Sequence, residues 1–143
     1  MSQALFTGIY NKFTSIPLSS FYNSISGKLY LVEAPQNTDY PLATYNLIHN
    51  EHDWSFTSNY EESTIEFILL SDSTSGATEI TDMYNFLDDQ FDNATISLSS
   101  VPGYTNAVLN RENSWLNKMP GKEPDKSVWQ YNVTFTINIC RGE

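Results

Sequence analysis

The sequence has little of what a secreted or membrane-spanning protein uses. It contains a single cysteine, Cys140, so no internal disulfide can form. Cys140 lies in an apolar alternation, which predicts a small buried side chain rather than a nucleophile. The first residues lack the charged and apolar regions of a signal peptide, and no apolar run approaches the roughly 20 residues of a membrane-spanning helix. We therefore expect an intracellular product with no membrane segment.

Basic residues are also scarce. The 143 residues include 7 Lys and Arg against 17 Asp and Glu, for a formal net charge of −10. Tight binding to nucleic acid needs several cations aimed at phosphates. The basic residues are scattered, except in the stretch 111–126, where acids lie between them. Direct nucleic-acid binding is therefore disfavoured, whereas an acidic surface that repels DNA is compatible with this composition.

The usual motifs of catalysis and metal binding are missing. His49 and His52 lie three residues apart in a strand-like context, which directs them to opposite faces, and no further histidine completes a zinc site. There is no glycine-rich phosphate loop and no G-x-S-x-G motif. No neighbouring residues mark the paired carboxylates at 61–62 and 88–89 as a general acid and a general base. The sequence therefore predicts a protein that is not an enzyme and uses no cofactor or metal.

Apolar and aromatic residues are abundant instead. Hydrophobic residues make up 40% of the chain and aromatic residues 14%, which is ample for one core. The length is typical of one domain, so we expect a single domain over residues 1–143. The aromatic residues suit either a β-rich core or contacts between subunits, and composition favours neither.

Apolar periodicity predicts two helices and six strands. The first helix begins near Ser2 and ends before Pro17, and the second spans Thr78–Phe91 with one apolar stripe. The predicted strands are Leu29–Ala34, Leu42–Glu51, Ser63–Ser71, Ala94–Ser100, Thr105–Leu116 and Val128–Cys140. The order α-β-β-β-α-β-β-β predicts an α+β fold, with a mainly antiparallel β-sheet flanked by two α-helices.

Three further segments read as irregular. Leu18–Gly27 is a Ser-rich connection, residues 50–62 form an extended hairpin tip or a loop, and Lys118–Ser127 is a loop. A bend also lies between the first two strands, where Pro35 and Pro41 each fix their own backbone and remove a hydrogen-bond donor. The polar residues of that bend suit a turn and offer little chemistry.

The order of these segments resembles the tail terminator, or tail-completion, family of long-tailed phages and related particles, and the head–tail joining proteins related to them. The resemblance covers almost the whole chain. It rests on an N-terminal helix and on the segments KLYLVEAP, YPLATYNLI, STIEFILL, ATEITDMYNFLDDQF and WQYNVTFTINI. The chain departs from the pattern in its long, acidic and aromatic segment 50–62 and in its 111–127 loop.

The resemblance implies a structural virion protein that forms a ring, expected to be a hexamer, at the head-proximal end of a tail. Such a ring caps the tail tube, ends tail elongation and joins the tail to the head connector. The implied partners are further copies of the chain, the tail tube protein and a head connector or stopper protein. DNA would pass through the lumen without specific binding, and the protein would be made in the host cytoplasm.

Two alternatives stay open at this point. One is another head-completion or connector ring protein of the same kind of particle. The other is a small soluble enzyme or ligand-binding domain whose site the sequence does not display.

Candidate contact residues lie in the irregular segments, because loops often carry function and because aromatic and arginine side chains dominate interfaces. They are Asp53, Trp54, Phe56, Tyr60, Arg111, Trp115 and Lys118. Equally, the tryptophans of this set could simply cover the core. The candidates for an acidic ring lumen, where like charge would let DNA slide, are Glu61, Glu62, Asp88, Asp89 and Asp92.

Overall fold

A computed structural model of the chain describes residues 2–54, 59–72, 77–98, 104–120 and 127–141. The helices are α1 (Ser2–Phe13), α2 (Ser20–Ser24) and α3 (Thr78–Phe91). The strands are β1 (Leu29–Leu31), β2 (Leu42–Trp54), β3 (Asn59–Ser71), β4 (Ala94–Ser97), β5 (Tyr104–Pro120) and β6 (Ser127–Arg141). The predicted α+β class is confirmed.

The strands form one sheet in the order β1-β2-β3-β6-β5-β4. Every neighbouring pair is antiparallel except β1 and β2, so the prediction of a mainly antiparallel sheet is confirmed. The hairpin β2–β3 reaches the pair Trp54–Asn59, and the hairpin β5–β6 reaches the pair Pro120–Ser127. Because β3 and β6 run antiparallel, these two hairpin ends lie at opposite ends of the sheet.

Several predicted bounds need correction. β5 continues to Pro120, into the segment predicted as a loop. Of the two forms predicted for the segment 50–62, its described part has the extended hairpin, since β2 and β3 continue into it and pair with each other. The strand predicted over 29–34 ends at Leu31, because Val32 has a φ of 69°, a left-handed conformation that cannot continue a strand.

The Ser-rich connection contains a helix that the sequence analysis did not predict. In α2 the Ser19 hydroxyl accepts a hydrogen bond from the Tyr22 N–H at 3.0 Å, which is the usual arrangement of a helix N-cap. The helix has only five residues, too few for an apolar period to show. The chain therefore has three helices within the described residues, not two.

The helices cover one face of the sheet, which we call the covered face. Each longer helix turns one apolar stripe towards it. Those stripes are Leu5, Ile9 and Phe13 in α1, and Ile80, Met83, Leu87 and Phe91 in α3. The strands contribute alternate residues to the same core, among them Ile65, Phe67 and Leu69 of β3 and Val133, Phe135 and Ile137 of β6.

Phe67 lies at the centre of this core. Its ring centroid is 5.9 Å from that of Tyr45 on β2, 5.6 Å from that of Phe135 on β6 and 5.2 Å from that of Phe91 on α3. Such ring pairs add about 0.5–1.5 kcal/mol each beyond the area they bury. One side chain of the sheet thus fixes two neighbouring strands and the main helix together.

The three helices are joined to one another at Gln90 of α3. Its Nε2 donates to the carbonyl oxygen of Lys12 in α1 at 2.9 Å, and its Oε1 accepts from the Ser19 hydroxyl at 3.0 Å. The amide therefore satisfies a C-terminal carbonyl of α1 and holds the N-cap residue of α2. The end of α1, the start of α2 and the end of α3 are fixed relative to each other.

The sheet curls around α1. The Tyr45 hydroxyl on β2 donates to the Phe6 carbonyl oxygen at 3.4 Å, while Gly8 of the same helix lies against Ile96 on β4. β2 and β4 are the second and the last strands of the sheet order. One helix can touch both only if the sheet bends its two sides towards each other.

The contact at Gly8 generates a test. A Cβ at this position would overlap Ile96 Cγ2, a methyl on a β-branched side chain that has little freedom to move. We expect Gly8→Ala to lower the free energy of unfolding by about 1–3 kcal/mol, although alanine is the better helix former. Urea denaturation measures the effect.

The matched control is Thr7→Ala, at the exposed neighbouring position, which we expect to leave stability unchanged or slightly raised. In the double variant Gly8→Ala/Ile96→Ala the clashing methyl is gone. The double variant should therefore lose less free energy of unfolding than the two single variants lose in sum. Strict additivity would contradict the close approach of α1 to β4.

Candidate functional site

The two faces of the sheet differ in their side chains. On the side of the covered face, α3 carries the acids Glu79, Asp82, Asp88 and Asp89, and Asp92 follows it as the C-cap. The opposite face carries no helix within the described residues, and we call it the open face. Its described side chains include neutral amides and hydroxyls together with two acids, Glu66 and Glu112; the neutral ones include Thr44, Asn113, Asn117, Gln130, Asn132, Thr134 and Thr136. The helical side therefore carries more acids, beside the cations Arg111 and Lys118, whereas the described side chains of the open face are mainly uncharged.

Hydrogen bonds order the centre of the open face. The Gln130 amide nitrogen donates to Asn132 Oδ1 at 2.8 Å, and the Thr134 hydroxyl donates to the Asn113 carbonyl oxygen at 3.3 Å. Asn132 and Thr134 are buried although no described helix covers them, because β6 is a central strand and side chains of β3 and β5 flank them on both sides. The result is a pre-ordered polar surface that can take part in hydrogen bonds at little entropic cost.

Trp115 lies on this open face, opposite Asn132, and 40% of its surface is exposed. A β-bulge puts it there. Arg111 pairs with Phe135 and shares the covered face, and strict alternation would put Trp115 on the same side. The register shifts between Arg111 and Asn113, so the extra residue reverses the alternation and turns Trp115 outward.

A cleft of about 480 Å³ lies at one side of the open face. The parallel arrangement of β1 and β2 requires the connection 32–41 to return along the sheet, and it does so over the open face. The cleft is lined by this connection together with Leu42, Thr44, Ile68, Leu70 and Gln130. Its only ionisable side chains are Glu33 and Tyr40, so the lining offers no charged pair for acid–base chemistry.

The end of α3 is tied to β5 by a polar cluster around Arg111. Arg111 Nη1 lies 3.0 Å from Asp88 Oδ2 and 2.6 Å from the Tyr84 hydroxyl. The Tyr84 ring in turn stacks on Tyr131 of β6, with centroids 4.4 Å apart and planes 2° apart. The backbone N–H of Arg111 also donates to Asp92 Oδ1 at 2.9 Å. Two of the predicted lumen acids are therefore held by intramolecular contacts.

The electrostatics of this cluster are not those of an ideal ion pair. Burial raises the pKa of Asp88 above its ordinary value of about 4, and Asp92 and Asp89 act in the same direction, against the opposing effect of Arg111. Asp88 Oδ1 is buried and has no hydrogen-bond partner among the described residues, which explains the cost of its ionised form. The Asp88 carboxylate and then Tyr84 raise the pKa of Arg111, so the guanidinium stays charged.

The predicted contact residues of β5 lie on opposite faces of the strand. Lys118 follows Trp115 on the other face of β5, where its Nζ lies 5.1 Å from the centroid of the Trp129 ring. Arg111 is on that covered side too. The structure therefore brings Arg111 and Lys118 to one side of β5 and Trp115 to the other.

The predicted residues of the β2–β3 hairpin lie far from these along the sheet. Asp53 pairs with Tyr60, and Trp54 is in the last described pair before the hairpin end. Glu61 and Glu62 pair with His52 and Glu51 in the same hairpin. The described part of this segment is its backbone. Phe56, and the side-chain predictions for the two histidines and Cys140, lie outside the described residues.

Two other kinds of feature are absent from the described ranges. No group of three or more His, Cys, Asp or Glu side chains is placed to hold a metal ion there. No described helix has the length and apolar character needed to cross a membrane.

Sequence reasoning missed the functions of several polar side chains. The stack of Tyr84 on Tyr131 joins α3 to β6, and apolar periodicity does not pair residues of different elements. The linkage at Gln90 has no sequence signal, because its partners lie in α1 and before α2. The outward position of Trp115 depends on a bulge that the alternation does not reveal.

Comparison with known proteins identifies a shared fold. No protein-family model matches the chain, and no curated protein matches it in sequence. Among solved structures, the chain is similar to a chain of the structure described as the virion of native gene transfer agent (GTA) particle. The TM-score is 0.68 at 12% sequence identity, and the match covers 98% of this chain and 96% of that chain. At this identity the likeness shows a common fold over essentially the whole length of both.

The Asp88 cluster generates a prediction for pH dependence. Because its pKa is raised in the folded state, Asp88 binds its proton more tightly when folded than when unfolded. Its contribution to stability is therefore greatest below its ordinary pKa and falls as the pH rises through the folded pKa. Asp88→Asn keeps an oxygen for Arg111 without the buried charge. We expect the stability of this variant relative to wild type to increase from pH 3.5 to pH 7, measured by urea denaturation.

Asp82→Asn, which removes the same charge from an exposed position of α3, is the control for net charge. The prediction fails if the advantage of Asp88→Asn shrinks with rising pH, since that would mean that the pair with Arg111 dominates.

Proposed function

We propose that this chain is a structural subunit of a phage-like virion particle. The observation that carries the proposal is the fold shared over nearly the full length with a chain of the gene transfer agent virion. The sequence resemblance to tail terminator proteins points in the same direction and rests on separate features. Nothing in the linings of the described clefts offers a competing chemistry.

In its finer form, the proposal is a ring, expected to be a hexamer, that caps the tail tube, ends tail elongation and joins the tail to the head connector. The fold supports this because the ends of its two hairpins lie at opposite ends of the sheet. A ring subunit between two different partners needs two different end surfaces. The segments 50–62 and 111–127 supply them.

The open face is our candidate for contact between subunits or with a partner. Copies of a chain with a net charge of −10 repel one another, so association is favoured where the surface carries little charge. The described side chains of the open face are mainly uncharged, apart from the acids Glu66 and Glu112, and Trp115 gives this face an exposed aromatic anchor of the kind that dominates interfaces. Arg111 and Lys118, and the hairpin residues Asp53, Trp54, Phe56 and Tyr60, are retained as further candidate contacts.

The acids of α3 are candidates for the lumen of the ring. An acidic wall would repel DNA and let it pass without binding. Asp82 and Asp89 are exposed, whereas Asp88 and Asp92 also hold Arg111. Glu61 and Glu62, at the other end of the sheet, complete the candidate set.

A second candidate is a neighbouring ring of the same particle, such as a head-completion or connector protein. The similar structure is that of a whole virion, so the likeness favours neither position. Imaging separates the two, since particles without a terminator should carry tails of abnormal length or tails detached from heads. Tails of normal length that fail only at the head would support the connector.

The central test of the proposal is assembly. The purified chain is mixed with tail tube protein, and native mass measurement and electron microscopy follow the product. We expect closed rings at tube ends. A chain that stays monomeric and never binds tube subunits would overturn the ring function.

Trp115 and its neighbour provide a matched test of the open face. Trp115 and Leu116 are equally exposed, at 40% and 39%, but lie on opposite faces of β5. We expect Trp115→Ala to weaken assembly about tenfold or more, as expected for an aromatic anchor, and Leu116→Ala to have little effect. Analytical ultracentrifugation of the assembling mixture measures both. Equal effects of the two variants would remove the open face as the contact surface.

The acidic side is tested by charge reversal. We expect Asp82→Lys/Asp89→Lys to reduce the DNA delivered per assembled particle by about tenfold, because added cations would hold phosphates in the lumen. The control, Glu33→Lys/Asp39→Lys, makes the same change in net charge in the loop over the open face. Quantitative PCR of delivered DNA is the readout. Undiminished delivery by the α3 variant would count against an acidic lumen formed by this helix.

A further inference from the structure

The sheet has two long edges that its own edge strands do not cover. β1 pairs with β2 only from Ala43 to Tyr45, and β4 pairs with β5 only from Asn106 to Leu109. Beyond these short stretches the outer sides of β2 and β5 have no neighbouring strand among the described residues. Uncovered edges of this kind are templates for adding a strand from another chain.

The first exposed donor past β1 is covered by a side chain. The Ala43 N–H points outward, since it donates to the Lys28 carbonyl oxygen at 3.0 Å. Backbone groups alternate along a strand, so Tyr45 and then Leu47 also point their N–H groups outward. β1 ends opposite Tyr45, and the Leu47 N–H donates instead to Asn46 Oδ1 at 2.9 Å.

The opposite edge repeats this arrangement. Past the last β4 pair, at Leu109, the next outward N–H belongs to Arg111, and it donates to Asp92 Oδ1 at 2.9 Å. After the register shift, the Ser114 N–H donates to Asn113 Oδ1, also at 2.9 Å. The first two outward donors past β4 are therefore covered.

A β-bulge accompanies the covered donors at both edges. The register of β2 shifts between Leu47 and His49, and that of β5 shifts between Arg111 and Asn113. Bulges twist an edge and disrupt its hydrogen-bond ladder, which makes strand addition less favourable. The same combination of side-chain acceptor and bulge thus occurs at two sites that are unrelated in sequence.

We propose that the outer edges of β2 and β5 could each accept a strand from a second copy of this chain, and that Asn46, Asp92 and Asn113 block this addition. We call these three residues the edge caps. A second copy is the relevant partner because each copy presents two such edges, on strands of 13 and 17 residues that β1 and β4 cover only in part, so an edge of one copy can pair with an edge of another. Strand addition of this kind is heterologous and need not close, so it leads to open-ended assemblies. By blocking the strand edges, the edge caps leave side-chain surfaces for contact between copies.

The test uses the full chain alone, so its outcome is independent of the proposed virion function. The variant Asn46→Ala/Asp92→Ala/Asn113→Ala removes the edge caps. We expect it to form open-ended, β-rich oligomers that grow with concentration, seen by light scattering after size exclusion and by thioflavin T fluorescence at least tenfold above wild type. The control is Asn117→Ala, which removes an exposed amide from β5, the strand that carries Asn113. This variant should behave as wild type. A triple variant with the size distribution and fluorescence of wild type would overturn the proposal.

Amide hydrogen exchange gives a second readout that does not need a folded triple variant. In the single variants Asn46→Ala and Asn113→Ala, we expect the N–H groups of Leu47 and Ser114 to exchange about tenfold faster or more, because each loses its acceptor. Asp92→Asn keeps an acceptor oxygen, so the backbone N–H of Arg111 should stay protected from exchange in this variant. In Asp92→Ala the same N–H should lose its protection. Unchanged exchange in the alanine variants would overturn the assignment of these residues as edge caps.

Discussion

The contact between Phe67 and Phe91 is the interaction on which the rest of the structure depends. Phe67 fixes β3 to its two neighbours through aromatic rings, and Phe91 carries that contact to α3 at a ring distance of 5.2 Å. Phe91 then meets Phe21 of α2, which meets Phe13 of α1. A continuous series of rings therefore links the sheet to all three helices. The helical layer and the open face of the sheet are the two sides of this one core.

The sequence predicted well what short-range patterns determine. The bounds of α3 were correct at both ends, because its apolar residues recur at helical spacing and Asp92 breaks from helical geometry. α2 was missed because its main signal is a single serine cap. The extension of β5 into a predicted loop was missed, and residues 50–62 were left open between a hairpin and a loop. Polar residues are compatible with strands once a partner strand supplies hydrogen bonds, and pairing partners are not visible in local patterns.

The candidate site shows the same division. Trp115 was selected from its residue type and segment, but its face depends on the extra residue in β5, and a period of two cannot reveal a bulge. Asp88 and Arg111 were selected for different roles, one for a lumen and one for an interface, and the fold joins them 3.0 Å apart. The edge caps were not foreseen, since an asparagine that bonds the next N–H resembles any exposed amide in sequence.

The approach of α1 to β4 has a consequence for how the chain reaches its fold. Gly8 and Ile96 are separated by most of the chain, so this contact forms only after a large loop has closed. During synthesis, the apolar stripe of α1 leaves the ribosome long before β4 exists to cover it. Contacts of such high sequence separation slow folding, and this side of α1 stays uncovered until the sheet curls shut.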